Sequence, residues 1–145
     1  MPELPEVETV RKGLEKRLLD FQIEKIKIYR ERVIASEGGS TVFIKGMKGV
    51  KIERWERRGK YLLANLHKDL ICPKTSNLEL VEAGWWVIHL RMTGQFQCFP
   101  KKTKPCPHTR ISFWNAQGFE LRFVDTRSFG QMWWIPCPNK PEDTI

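Results

Sequence analysis

Apolar residues near the amino terminus recur at spacings of three and four. Val7, Val10, Leu14 and Leu18 therefore fall on one face of a helix. Acidic residues crowd the start of this segment and basic residues crowd its end, which is the polarity that the helix dipole favours. Pro5 is tolerated there because the first turn of a helix does not need its amide proton. The pattern predicts an amphipathic helix at the start of the chain.

After Asp20 the apolar pattern breaks into short stretches of β character separated by turn residues. Breaks such as Arg58-Gly59, Thr93-Gly94 and Asn115-Ala116-Gln117-Gly118 are typical of hairpins. Many short strands at hairpin spacing favour an antiparallel sandwich or barrel. The predicted strands are residues 23–29, 41–44, 50–55, 61–66, 85–90, 95–99, 110–114, 119–124 and 131–135.

Three segments lack such a pattern. Residues 68–84 contain Pro73, Thr75, Ser76 and Asn77, and we expect an irregular loop there. Residues 100–107 hold three Lys and three Pro and are expected to form a second, cationic loop. The tail is rich in proline and has no apolar run. We therefore expect one domain over residues 1–135 and the beginning of a linker over residues 136–145.

Composition narrows the class of protein. The chain has 145 residues, of which 41% are apolar and 29% charged, so disorder and a coiled coil are disfavoured. It has no apolar run long enough to span a bilayer, and its acidic start is unlike a secretory signal. The formal net charge of +8 predicts an acidic partner, with nucleic acid ahead of an anionic membrane surface.

Cysteine spacing gives little sign of a metal site. Cys72, Cys98, Cys106 and Cys137 contain no C-x-x-C pair, and only Cys106 and His108 lie close together. We expect no metal in this chain and four reduced thiols, as in an intracellular protein.

The amino terminus offers a reactive amine. Methionine before a small residue is normally removed, which leaves Pro2 with a free secondary amine. Such α-amino groups titrate near pH 8 and, when unprotonated, can attack a sugar C1′ or a carbonyl. Glu3 and Glu6 lie beside it and could move protons. Taken locally, the same residues are also an ordinary acidic first turn of a helix.

Four blocks in order carry a resemblance to a known family. They begin with Pro2-Glu3-Leu4-Pro5-Glu6 and continue with Arg57-Arg58-Gly59-Lys60-Tyr61, His89-Leu90-Arg91-Met92-Thr93-Gly94 and Asp125-Thr126-Arg127-Ser128-Phe129-Gly130. This pattern resembles the formamidopyrimidine-DNA glycosylase and endonuclease VIII family over essentially the whole chain, and cyanobacterial members most of all. The resemblance implies a mainly β, α+β fold, namely a two-layer antiparallel β-sandwich with an N-terminal helix.

The resemblance also implies catalytic roles. Pro2 matches the amine that displaces the damaged base and forms a Schiff base, and Glu3 matches the acid that protonates the sugar or the leaving group. Glu6 matches a supporting carboxylate. Lys60 matches the lysine assigned to proton transfer in β-elimination and to phosphate contact.

A second group of residues matches DNA contacts of the family. Met92, Arg127 and Phe129 match the side chains that fill the gap left when a nucleotide leaves the duplex. His108 matches a DNA-contacting histidine, and Arg110 is a candidate for a phosphate contact. Ser128 departs from the family's second arginine, so one basic contact is absent.

The implied function is base-excision repair: removal of oxidised purines such as 8-oxoguanine and formamidopyrimidines, followed by AP-lyase strand cleavage. The expected partner is damaged double-stranded DNA, and we expect a cytoplasmic monomer with no membrane partner. We expect no cofactor in this chain, because the family's zinc finger and its helix–two-turn–helix belong to a second half that this sequence does not contain. The alternative is a non-catalytic or weakly active DNA-binding β-domain.

Overall fold

A computed structural model describes residues 4–71 and 73–143. In this part of the chain, two helices and eight strands form the framework. Two short 3-10 helices add to it, at Glu31–Val33 and Pro141–Asp143. The helices and strands are α1 (Leu4–Arg17), β1 (Lys25–Ile28), α2 (Gly39–Met47), β2 (Lys51–Arg58), β3 (Tyr61–Ile71), β4 (Leu78–His89), β5 (Gly94–Phe99), β6 (Thr109–Trp114), β7 (Glu120–Asp125) and β8 (Gln131–Ile135).

The strands form two four-stranded antiparallel sheets, in the orders β1-β6-β7-β5 and β2-β3-β4-β8. Large apolar side chains such as Trp86, Phe113 and Phe123 are fully buried in the core. The apolar face of α1 joins that core through Val7 and Leu14. The predicted two-layer sandwich with an N-terminal helix is confirmed. No helix in residues 4–71 or 73–143 combines the length and apolarity that crossing a bilayer requires.

One predicted strand is wrong. Residues 41–44 lie within α2, although Thr41, Val42 and Ile44 are β-branched and favour strands. The helix buries Phe43 and Met47, which are four residues apart, so packing on one face outweighs local propensity. Gly46 allows a close approach, since a Cβ there would lie 2.3 Å from the Trp134 ring.

The predicted loop over residues 68–84 is also wrong. β3 continues to Ile71 and β4 begins at Leu78, so most of this segment is a long two-stranded hairpin. Its end carries the large exposed side chains Leu70, Ile71, Leu78 and Leu80, which we call the hairpin tip. The alternation of apolar and polar residues that indicates a strand is hidden here, because several side chains of the tip are apolar although they face solvent.

The cationic loop over residues 100–107 joins β5 to β6, which lie on either side of β7, so the loop passes across β7. It is held there by the Arg122 guanidinium, which donates to the carbonyl oxygens of Thr103 (2.9 Å) and Lys104 (3.3 Å). Arg122 itself is paired with the buried carboxylate of Glu120 at 2.8 Å. The tail lies near β2, where Arg58 contacts Glu142 at 3.2 Å.

Candidate functional site

Three chain connections meet at one end of the sandwich. The β2–β3 turn carries Lys60, and the pairing of Tyr61 with His89 places that turn beside the end of β4. His89 pairs in turn with Gln131 at the start of β8. In the second sheet, Gly94 at the start of β5 pairs with Asp125 at the end of β7. The β4–β5 and β7–β8 connections therefore lie side by side at this end.

Met92, Arg127 and Phe129, which we call the wedge set, come together there. Met92 and Phe129 are 47% and 45% exposed, although both are large apolar side chains. Nη1 of Arg127 lies 3.7 Å from Sδ of Met92, so the two connections touch. Met92 and Phe129 also line a common cavity of about 410 Å³ with Arg32 and Arg91. Two apolar groups and a guanidinium thus project from one surface.

The backbone beneath the wedge set adopts left-handed conformations that side chains rarely take. Arg91, just before Met92, has φ 55°, and Ser128, between Arg127 and Phe129, has φ 58°. Such conformations persist only where the surroundings fix them, and they cluster at functional sites. Arg91 is fixed by a hydrogen bond from its backbone N–H to Nδ1 of His89 (2.9 Å) and by a contact of its guanidinium with Oε1 of Gln131.

His89 must be neutral to accept that hydrogen bond. Burial, and to a smaller extent the nearby positive charges of Arg91 and Lys60, together lower the pKa of His89 from 6.5 to about 4. The edge of its ring packs against Tyr61, with 4.8 Å between ring centroids. At neutral pH the imidazole is therefore an uncharged acceptor that supports the Met92 connection.

Of the predicted catalytic residues, Pro2 and Glu3 lie outside the described residues. Glu6 is exposed and lines a cavity of about 680 Å³ together with Met92 and Thr93. Lys60 is half-buried in the β2–β3 turn. The structure therefore brings Glu6 and Lys60 to the same end of the molecule as the wedge set.

A carboxylate ties α1 to the Lys60 turn. Glu8 accepts two hydrogen bonds from Arg11 at 2.8 Å each, and a third from Nε of Arg57 at 3.3 Å. Nη1 of Arg57 donates to the carbonyl of Gly59 at 3.0 Å. The hydrogen bond from Arg11 is the main reason why the pKa of Glu8 falls to about 2. Helix α1 and the turn that carries Lys60 are thus joined through Glu8 and Arg57.

The two remaining DNA-contact candidates differ in placement. His108 is exposed, and its carbonyl accepts the backbone N–H of Asp125 at 3.0 Å. Arg110 is only 7% exposed, and its Nε donates to the Asp125 carbonyl at 2.8 Å. Because Arg110 is buried and engaged with the backbone, its placement does not favour a phosphate contact. It anchors the end of β7 instead.

The described cysteines make no disulfide: Cys98, Cys106 and Cys137 are free thiols. Burial raises the pKa of Cys98, whereas a hydrogen bond with Thr109 lowers that of Cys106. In residues 4–71 and 73–143, no three His, Cys, Asp or Glu side chains are grouped to hold a metal ion.

Sequence reasoning missed three supporting residues, namely His89, Asp125 and Arg57. All three stand inside the sequence blocks quoted above, close to the predicted site residues. Their positions in the motifs were a signal, but their hydrogen bonds depend on which strands pair.

Comparison with known proteins defines the class. The formamidopyrimidine-DNA glycosylase N-terminal domain family matches residues 1–132. The chain belongs to this family. Relatives named formamidopyrimidine-DNA glycosylase include one from Prochlorococcus marinus strain MIT 9313, 57% identical over all of this chain and 50% of its own length. Another, from Parasynechococcus marenigrum strain WH8102, is 53% identical over 94% of this chain and 44% of its own length.

Solved structures agree with this family assignment. Formamidopyrimidine-DNA glycosylase (Fpg) of Lactococcus lactis, bound to DNA with an abasic site, has a TM-score of 0.78 at 29% identity, over 94% of this chain and 45% of that protein. The same enzyme bound to DNA with an oxidised pyrimidine gives a TM-score of 0.77 at 30% identity, over 93% and 44%. The chain spans about half the length of the curated relatives it matches.

Proposed function

We propose that this chain is the catalytic β-domain of a base-excision-repair glycosylase with AP-lyase activity on oxidised purines in DNA. The observation that carries the proposal is the wedge set, which stands exposed at the same end of the sandwich as Lys60 and Glu6. A domain that only binds the DNA backbone has no need of this combination. Function in the cytoplasm is part of the same proposal.

The wedge set suits the extrusion of a nucleotide. Chemistry on a base inside a duplex requires the nucleotide to leave the stack, at a cost of a few kcal/mol. An apolar side chain inserted into the gap supports the kinked DNA. Met92 and Phe129 supply apolar surface, and the Arg127 guanidinium can hydrogen-bond the orphaned base.

The proposed chemistry begins at Pro2. Its unprotonated amine attacks C1′, the glycosidic C–N bond breaks, and the departing base takes up a proton. Loss of the amine proton and opening of the sugar ring, with protonation of its oxygen by Glu3, leave an iminium ion between Pro2 and C1′. Removal of a C2′ proton then expels the 3′ phosphate by β-elimination. Lys60 is the proposed group for that proton transfer, and Glu6 supports the charge near the amine.

The ion pair between Glu8 and Arg57 fits this scheme. In the sequence, Pro2 stands two residues before Leu4, the first residue of α1, and the Glu8–Arg57 ion pair holds α1 beside the Lys60 turn. The amine and the lysine must act on the same sugar in succession. A fixed helix-to-turn spacing therefore serves both steps.

Borohydride trapping tests the proposal. The chain is incubated with a single-stranded oligonucleotide containing one abasic site, and the iminium ion is reduced to a stable amine. We expect a covalent adduct that peptide mapping places on Pro2. Single-stranded DNA is used because it needs little extrusion and so reports the amine chemistry alone.

The matched control inserts one alanine between Met1 and Pro2, which places the Pro2 nitrogen in a peptide bond. We expect trapping to be abolished while the thermal unfolding temperature is unchanged. An adduct that survives the insertion and disappears in Lys60→Ala would assign the nucleophile to Lys60. Failure of the unmodified chain to form any adduct at high protein concentration would favour the non-catalytic DNA-binding domain.

A further inference from the structure

A buried carboxylate joins the two connections that carry the wedge set. Asp125, at the end of β7, is 1% exposed. Its Oδ1 accepts a hydrogen bond from the Thr93 hydroxyl and another from the backbone N–H of Arg127 at 3.2 Å. Its Oδ2 accepts the backbone N–H of Gly130 at 2.7 Å. One side chain therefore binds the residue after Met92 and both ends of the segment that holds Arg127 and Phe129.

The residues around Asp125 are closely packed and linked to one another by hydrogen bonds. The Thr93 hydroxyl also accepts the Arg127 N–H at 3.2 Å, so Thr93, Asp125 and Arg127 form a closed set of contacts. A Cβ on Gly130 would come within 2.9 Å of Asp125 Oδ2 and 2.6 Å of the Phe123 ring, which shows how closely this segment is packed. The backbone of Asp125 is fixed as well, by the His108 carbonyl on its N–H and by Arg110 on its carbonyl.

We infer that Asp125 is a positioning residue, which sets the spacing of Met92 against Arg127 and Phe129 and so makes the wedge set competent to fill the gap in damaged duplex DNA. The inference rests on the proposed function, because it gives Asp125 a role only if the wedge set enters DNA. Asp125 itself touches no DNA in this scheme, since it is buried beneath the exposed side chains.

The chemistry of the acceptor explains why a carboxylate is needed here. Three donors point at two oxygens, and a carboxylate accepts from all of them. In Asp125→Asn, which has nearly the same shape, one oxygen becomes an NH₂ group. In one orientation of the amide, that NH₂ faces the Gly130 N–H and leaves it without an acceptor. In the other orientation it faces the Arg127 N–H, which then loses its hydrogen bond to residue 125 and keeps only the one to the Thr93 hydroxyl. At least one connection of the wedge set then loses its anchor.

The experiment measures selectivity for damage, which a purely structural role would not change. The chain is titrated onto two duplexes, one undamaged and one with an abasic site opposite 2-aminopurine. The fluorescence of 2-aminopurine reports whether a side chain has stacked into the gap. In Asp125→Asn we expect the preference for the abasic duplex to fall about tenfold, as loss of a buried hydrogen bond allows. We also expect most of the fluorescence change at saturation to be lost.

Two readouts should stay as they are in the unmodified chain. Binding to undamaged duplex and its salt dependence come from phosphate contacts and should be unchanged within about twofold. Trapping on the single-stranded abasic oligonucleotide needs no wedge and should also be retained. The thermal unfolding temperature, measured in parallel, shows that the variant is folded.

Glu120→Gln is the matched control. Glu120 is on the same strand and is also buried, at 2% exposed, but it binds Ser112 and Arg122 instead of the wedge connections. We expect this variant to lose stability and keep the abasic preference. Thr93→Val, which removes one hydroxyl, should show the Asp125→Asn effect in weaker form, at about threefold.

The outcomes distinguish failure of the proposed function from failure of the inference about Asp125. If the unmodified chain shows neither trapping nor a preference for the abasic duplex, the proposed function fails and the inference fails with it. If the unmodified chain shows both and Asp125→Asn keeps full preference and the full fluorescence change, only the inference is overturned. The same holds if Glu120→Gln lowers the preference as much as Asp125→Asn, because buried charge in general would then be responsible.

Discussion

The wedge set and the hairpin tip both expose large apolar side chains, yet they are built differently. Met92 and Phe129 are 47% and 45% exposed, and Ile71 and Leu78 are even more exposed, at 67% and 68%. Beneath the wedge set, His89 and Asp125 accept backbone N–H groups of both connections. Among the described residues of the turn at the hairpin tip, one such hydrogen bond occurs, which the Asn77 N–H donates to Oγ1 of Thr75 at 3.3 Å.

This difference shows what marks a site in this fold. Exposed apolar surface occurs at both places, so exposure alone does not distinguish them. Left-handed backbone also occurs at both, since Ser76 in the turn of the hairpin has φ 60°. The wedge set is distinguished by the buried polar groups beneath it, which accept backbone N–H groups of both connections. The tip is an ordinary ribbon end with apolar residues on it.

The largest expected effect is an acid-induced loss of the support beneath Met92. Folding lowers the pKa of His89 from 6.5 to about 4. Between these pH values the unfolded chain therefore binds a proton at His89 and the folded chain does not. Stability contributed by neutral His89 is therefore present above pH 6.5 and lost as pH falls toward 4, by at most about 3 kcal/mol. Urea unfolding at several pH values in this window measures it.

His89→Gln is the control for that titration, because glutamine can accept the Arg91 N–H without a pKa in this range. We expect its stability to change little between pH 6.5 and 4.5. The stabilising contribution of Glu8 is lost as pH falls from its ordinary pKa of 4.5 to the lowered value of about 2, which lies below the interval from pH 6.5 to 4.5. Identical pH profiles for the two proteins would show that His89 does not supply the acid sensitivity.

The next effect concerns Arg127→Ala. It removes the guanidinium that contacts Met92 and is proposed to bond the orphaned base. We expect binding to abasic duplex to weaken about tenfold, or roughly 1.4 kcal/mol, and binding to undamaged duplex to weaken less. Fluorescence anisotropy on both duplexes measures the difference. An equal loss on both would mean that Arg127 contacts only phosphate.

The smallest effect is expected at the hairpin tip. The double variant Ile71→Thr, Leu78→Thr keeps β-branched or strand-compatible residues and removes exposed apolar surface from a directly paired position. We expect the free energy of unfolding to change by less than about 0.5 kcal/mol, with unchanged preference for abasic duplex. If that preference falls as it does in Arg127→Ala, the tip belongs to the DNA interface and is not an ordinary ribbon end.

The sequence predicted the sandwich and most strands because their hydrophobic pattern agrees with local propensity. It failed at Thr41–Val42–Phe43–Ile44, where burial of Phe43 and Met47 against the sheets outweighs β-branched propensity. It also failed along the hairpin, because apolar residues that face solvent hide the alternation. The site residues came from ordered motifs, but the roles of His89 and Asp125 follow from strand pairing and hydrogen bonds between distant segments, which no local pattern contains.

In the sheet β1-β6-β7-β5, the strand next to β5 is the last of the four to be synthesised. β6 and β7 are joined by a short turn and can pair as soon as both have been synthesised. β5 has no partner strand in this sheet until β7 has been synthesised. The Met92 connection leads directly into β5, and Asp125 ends β7. Since Arg127 and Phe129 follow β7 in the chain, the two halves of the wedge set cannot meet before β7 has been synthesised.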